Sequence, residues 1–241
     1  INQAIKAVKV LVGEAQARRL IGVEEARLIT DLKYDHESGV RLGNWLGLEE
    51  ARRLYATPDR TTLRGRRDAA LLALLLGCGL RRAEAVEVKW GNYQQREGRM
   101  VLIDLVGKGG RIRSVPVPEW GRRDIDGWEV ELEGRGMTGE GDTILVGFPR
   151  TFEYPDLWRP LGAGGVWKIV KGYADRLGQE EGGERFEHVR PHDLRRTLAQ
   201  LMRKGGVEIE QIGAILGHQQ ITTTQRYLGV GLELGKGRAG T

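Results

Sequence analysis

Cysteine is nearly absent from this chain: among 241 residues only Cys78 is one. A lone thiol excludes an intrachain disulfide and a thiolate cage for a metal. Its place beside an apolar run reads as a small buried residue. Histidine is scarce too, at four. Long apolar runs are missing: the longest, Ala69 to Leu76, falls far short of the roughly 20 residues that span a bilayer. No signal peptide, Walker phosphate loop, carboxylate cluster, internal repeat or low-complexity tract is visible. The expectation is a cytoplasmic protein with no membrane partner, no nucleotide, no other cofactor and no metal.

What is present is a moderately basic globular composition. Hydrophobic residues make up 40% and charged ones 29%, enough to bury a core in one large domain or two smaller ones. The net charge is +5, from 38 Lys and Arg against 33 Asp and Glu, which points only mildly to a polyanionic partner. The local clusters Arg64-Gly-Arg66-Arg67, Arg81-Arg82, Arg122-Arg123 and Arg195-Arg196 say more, although any one of them also reads as a solvated face. The chain starts at Ile1, inside a helical pattern, and a fragment of a longer protein is expected.

Hydrophobic spacing predicts helices over 3–20, 23–30, 48–56, 66–76, 82–88, 165–177, 191–204 and 209–216. Tyr34 to Gly43 reads as a linker. Met100 to Val106 and Ile112 to Val117 are β-rich and joined by Gly107-Lys108-Gly109-Gly110, a hairpin signal. Thr143 to Val146 suggests a short strand, and 119–142 resists placement. Gly217 reads as a helix stop, and Thr222-x-x-Gln225 as a capping box that starts a last helix. The fold class expected is mostly α with a small antiparallel β-sheet (α+β).

The last fifty residues carry chemistry. His192-Asp-Leu-Arg195 is followed by Leu216-Gly-His218 and then by Thr-Thr-Gln-Arg-Tyr227, the tyrosine standing nine positions after His218. Such a set suits a phosphodiester: arginine forks its non-bridging oxygens, histidine moves a proton, and a phenol attacks. His192 and Arg195, three apart, share a helix face, and Leu194, Leu198 and Leu201 would seat that helix and aim the pair outward.

These motifs closely resemble those of the tyrosine recombinase family, also called phage-type integrases. Two upstream boxes add to the likeness, Gly79-Leu-Arg81-Arg-Ala-Glu84 and Gly107-Lys108-Gly-Gly-Arg111, so that it runs from about 45 to 228. The resemblance implies site-specific cleavage and rejoining of DNA through a 3′-phosphotyrosine. It makes Tyr227 the nucleophile, Arg81 and Arg195 the clamp on the scissile phosphate, and His192 the proton acceptor. His218 hydrogen-bonds the phosphate or tunes its charge, Lys108 becomes the general acid, and Glu84 a supporting residue that orients the cations. It implies double-stranded DNA as partner, a homo-tetramer on DNA and a monomer allowed when free. Residues 1–43 become the C-terminal part of a helical, SAM-like core-binding domain plus linker, and 44–241 the catalytic domain. Arg196 departs from the second histidine that many relatives carry, and the tail after Tyr227 is a poor match for their docking helix.

Alternatives stand beside this reading. Alone, each arginine or histidine reads as structural, Lys108 as a hairpin tip, Glu84 as a surface salt bridge and Tyr227 as packing. His188 and His192 have a metal-compatible spacing but few companions. A type IB topoisomerase shares the chemistry. Ile209 to Leu228 also passes for the helix-turn-helix of a non-catalytic regulator, which leaves Arg81, Lys108 and His192-x-x-Arg195 unexplained.

Overall fold

The computed structural model describes residues 2–32, 43–107, 109–148, 158–180 and 182–229. The chain divides into two compact units, Ile1–Arg41 and Leu42–Thr241. In the first, α1 (Asn2–Ala17) packs on α2 (Val23–Thr30). Two helices make little interior: Val12 and Ala26 are buried, while Val10, Leu11, Leu20, Val23 and Leu28 stay exposed. The linker expected over Tyr34 to Gly43 lies outside the described residues except for Gly43.

The second unit is mostly helical with a small antiparallel sheet. It opens with α3 (Leu48–Ala56) and α4 (Leu63–Leu72), the latter passing into a π-helical turn at Ala73–Gly77. Ala69 to Leu75 are wholly buried, because α3, α6 (Glu119–Glu133) and α7 (Ala163–Gly178) pack on α4, and α6 and α8 (Pro191–Lys204) on the π turn. This explains the all-apolar run without a membrane: a helix enclosed on every side needs no polar face. The π turn widens the helix end, with the Cys78 N–H donating to the Ala73 carbonyl at 3.2 Å. Gly79 then takes φ +61°, which a β-carbon would oppose both by conformation and by meeting Leu198. That turn delivers the chain to α5 (Arg82–Glu87) with Arg81 as its N-cap residue.

The sheet order is β1 (Tyr93–Arg96), β2 (Arg99–Gly107), β3 (Arg111–Pro116), all antiparallel. The strand β1 was not expected. Its connection to β2 is a two-residue loop, Glu97-Gly98, with φ of 48° and 75°, the geometry of a type I′ hairpin. A register shift between Leu102 and Leu105, with Asp104 at φ 53°, marks a bulge in β2. The expected β2–β3 hairpin is present. Lys108 at its tip lies outside the described residues.

The stretch 119–142, unplaced by sequence, begins with a 15-residue helix, α6 (Glu119–Glu133). Its buried positions Gly121, Ile125, Trp128 and Leu132 do follow a helical stripe, but one of the four is a glycine and charges surround the rest. Trp128 is fully buried and donates its indole N–H to the Ile144 carbonyl at 2.7 Å, pinning α6 to the chain that leads to β4 (Val146–Gly147). β4 pairs with β5 (Arg159–Pro160). Then follow α7 (Ala163–Gly178), α8 (Pro191–Lys204), α9 (Ile209–Leu216) and α10 (Ile221–Leu228). Gly217 stops α9 in the left-handed region, φ 61°, as expected. The capping box does not start α10: its N-cap residue is Gln220, and Thr222 lies inside the helix.

Trp128→Phe keeps most of the buried area and loses one hydrogen bond. It should cost about 1 kcal/mol, whereas Trp128→Ala should cost about 3–5 kcal/mol, both measured by urea unfolding. Equal losses would mean that the hydrogen bond, not the packing, holds α6.

Candidate active site

The site is assembled around one buried carboxylate. Glu84, the third residue of α5, accepts from its own N-cap residue: the Arg81 backbone N–H at 2.7 Å and the Arg81 guanidinium at 2.6 Å. Arg113, inward-facing on β3, donates twice more, at 2.7 and 3.1 Å. Arg195 of α8 stands 3.8 Å from the same carboxylate. Three guanidiniums from α5, β3 and α8 thus share one anion. Burial by itself would raise the Glu84 pKa. The Arg113 hydrogen bonds, the Arg81 backbone bond and the nearby cations outweigh that and hold it down to about 2.

Arg195 is placed differently from expectation. The stripe of leucines was expected to aim both His192 and Arg195 outward. His192 keeps an open edge while its ring packs against Tyr227, but Arg195 is only 1% exposed. Its guanidinium donates to the carbonyls of Gly79 and Leu216, so it joins the turn before Arg81, α8 and the end of α9. Burial, and then the Arg81 charge, pull its pKa down to about 10, which leaves it a cation at neutral pH. Its Nε has no hydrogen-bond partner among the described residues. Arg81 is the more open of the two, with 29% of its side chain exposed.

Tyr227 comes to this cluster on α10. Its half-buried ring meets His192 edge-on at 5.5 Å between centroids and His218 at 5.2 Å, and the Arg196 guanidinium lies over it at 4.8 Å. The hydroxyl donates to the His192 backbone carbonyl at 3.4 Å. Burial raises the phenol pKa, and Arg195 and Arg196 pull against that rise. His218 shares a 3.0 Å hydrogen bond between Nδ1 and Thr224 Oγ1. Burial and then the surrounding cations press its pKa to about 4. A neutral His218 that accepts the Thr224 hydroxyl at Nδ1 carries its proton on Nε2, free to donate to an anion. His192 is lowered as well, by burial and by Arg196, Arg195 and Arg81, so at neutral pH it can accept a proton.

The structure therefore brings together Arg81, Glu84, His192, Arg195, His218 and Tyr227. Lys108 falls outside the described residues, but its neighbour Gly107 lies where a β-carbon would touch Glu84 and Arg113. Two residues were missed by sequence reading. Arg113 had a signal: it alternates with exposed Ile112 and Ser114 on the inward face of β3, where a charge demands a partner. Thr224 had none apart from its place in the tyrosine motif, since its burial depends on α9 and α10 meeting. His188 and His192 belong to no group of three or more metal-ligating side chains among the described residues.

A profile of the phage integrase family matches residues 44–231, which takes in α3 through α10 of the second unit. The chain belongs to the phage integrase family. Among integrase relatives, tyrosine recombinase XerD of Neisseria meningitidis serogroup B is 32% identical over 180 residues, covering 74% of this chain and 56% of that protein. Tyrosine recombinase XerA of Thermococcus kodakarensis is 31% identical over 185 residues, covering 77% and 57%. The chain thus spans just over half the length of the curated relatives it matches. In fold it is similar to XerH site-specific recombinase bound to palindromic difH substrate, with TM-score 0.63, 19% identity, and 82% of this chain and 52% of that one covered. It is also similar to a lambda integrase dimer bound to a core site, with TM-score 0.60, 16% identity and coverage of 94% and 58%.

Removing the central anion tests whether the site depends on it. Glu84→Gln leaves buried guanidiniums uncompensated and should cost about 3–5 kcal/mol at pH 7. With a folded pKa near 2 against an ordinary 4.5, the stabilisation from Glu84 is complete above about pH 4.5 and is lost as pH falls toward 2. Urea unfolding should accordingly show the two proteins converging below pH 4. A gap that stays constant down to pH 3 would contradict the ion-pair account.

Proposed function

We propose that this chain cleaves and rejoins DNA strands at specific sites through a 3′-phosphotyrosine on Tyr227. The observation that carries this is the meeting of a phenol, two largely neutral imidazoles and a guanidinium cluster balanced by Glu84. The Tyr227 oxygen attacks phosphorus, and its proton passes to His192. Arg81 meets the non-bridging oxygens, Arg195 adds positive charge from beneath, and His218 donates Nε2–H to the growing negative charge. Lys108 protonates the departing 5′ oxygen. The phosphotyrosyl bond keeps the energy of the broken one, so a 5′ hydroxyl from another strand can reverse the step.

Relatives named tyrosine recombinases favour this reading over a topoisomerase. A regulator is disfavoured because α9 and α10 bring His218 and Tyr227 to the arginines rather than leaving them free. Double-stranded DNA is the partner, with a homo-tetramer as the working assembly. The unit Ile1–Arg41 is read as the end of a helical core-binding domain that helps grip the duplex. No helix among the described residues is long and apolar enough to cross a membrane, and a cytoplasmic location suits the reaction.

Two experiments test these roles. A nicked suicide duplex made from DNA flanking the gene should trap a covalent protein–DNA adduct with the native chain and none with Tyr227→Phe, while gel-shift binding is kept. An adduct with the phenylalanine variant would overturn the assignment. Lys108→Ala should lose cleavage by about 10²-fold or more on ordinary DNA. It should recover most of that loss when sulfur replaces the bridging 5′ oxygen, because a thiolate needs no proton to leave. Arg81→Ala should not be rescued. Equal Lys108→Ala defects on both substrates would reduce the lysine to a positioning role.

A further inference from the structure

The second turn of α8 faces two ways. On one side runs the lead-in segment 43–47. There Leu46, fully buried, donates its backbone N–H to Thr197 Oγ1 at 2.9 Å. Next to it Gly43 lies so close that a methyl group on its Cα would fall on the Arg196 guanidinium. On the other side the same guanidinium lies over the Tyr227 ring, 4.8 Å from its centroid. Arg196 Nε is buried with no hydrogen-bond partner among the described residues, so packing against Gly43 and Tyr227, rather than a bond from Nε, orients the group. A cation over an aromatic face is attracted to it and resists sliding off. His192 is four residues earlier on α8, and the two positions present an imidazole and a guanidinium to one ring.

We propose that Arg196 is a positioning residue for the Tyr227 phenol, held between Gly43 and the aromatic ring, so that the lead-in segment sets where the nucleophile stands. The proposal rests on Tyr227 being the nucleophile. It gives the segment a role in the chemistry without contact with the substrate.

The charges around the phenol indicate what Arg196 adds. From α8 it faces His192, Asp193, Arg195 and Arg196, from the turn before α10 His218, and from the start of α5 Arg81. Burial makes the phenol hard to ionise. Arg195, Arg196 and Arg81 oppose this, and Asp193 adds to it. Arg195 and Arg81 are committed to Glu84 and to backbone carbonyls, whereas Arg196 lies on the ring itself. Its removal should leave the burial cost less opposed and the ring less firmly held.

A test free of DNA uses the full chain carrying 3-fluorotyrosine, with the fluorine resonance of Tyr227 assigned by its loss in Tyr227→Phe. Arg196→Gln should move the Tyr227 titration upward by about half a pH unit or more, with the other tyrosines unmoved. Arg196→Lys keeps the charge but not the planar face, and should retain part of the effect. Gly43→Ala should shift Tyr227 in the same direction as Arg196→Gln and add nothing in the double variant, because both act through one guanidinium. Thermal unfolding checks that each variant is folded. If Arg196→Gln is not, Gly43→Ala and Arg196→Lys still carry the comparison. An unmoved Tyr227 titration overturns the proposal, and additive shifts overturn the link to Gly43. Covalent trapping separates it from the functional reading. An adduct from the native chain with no Tyr227 shift sinks the Arg196 role alone; a shift without any adduct sinks strand cleavage and leaves the coupling standing.

Discussion

A single buried carboxylate permits the rest of the site to exist. Three guanidiniums within a few ångströms of one another repel, and each resists leaving water. Glu84 offsets both costs by accepting from Arg81 and Arg113 and lying 3.8 Å from Arg195. It is an anchor for structure as much as for charge, since its partners come from a helix start, a strand and a second helix. Arg195 extends the network by bonding the carbonyls of Gly79 and Leu216. Those two carbonyls lie in the turn after the π turn and at the end of α9, so the segments that carry Arg81 and His218 are fixed by the cation they help to surround.

Helix α8 distributes its side chains over this framework. Arg195 goes inward to the carboxylate, His192 outward to the Tyr227 ring, and Arg196 sideways between that ring and the lead-in segment. One helical turn therefore connects the buried ion cluster, the Tyr227 ring and the path by which the chain enters the unit. The two histidines are kept neutral by the same partial burial and surrounding positive charge. Neutrality is what proton acceptance by His192 and an Nε2–H donor on His218 require.

Much of this was legible beforehand. The helices 23–30, 48–56, 191–204 and 209–216 match in their limits, because each has a strong apolar stripe and a clear stop such as Gly217. The helix over 119–133 was not legible, since its stripe includes Gly121 and only three large apolar residues amid charges. The start of the tyrosine helix was misread because a capping-box pattern is necessary to that motif but not sufficient: the chain enters the helix two residues earlier, at Gln220. Arg113 escaped notice because the alternation that places it inward is only three or four residues long.

The sequence by itself determined which groups are present and in what order: the two arginines, the histidines, the hairpin and the tyrosine nine residues past His218. It also determined the helical class, since periodicity is a local property of the chain. Tertiary structure decided depth and partnership. That Arg195 is buried rather than presented, that Arg113 completes the ion cluster and that Gly43 presses Arg196 onto Tyr227 all depend on segments tens to more than a hundred residues apart. Charge and hydrogen-bond energies are set by distance and by exclusion of water, and neither quantity is written in the local order of residues.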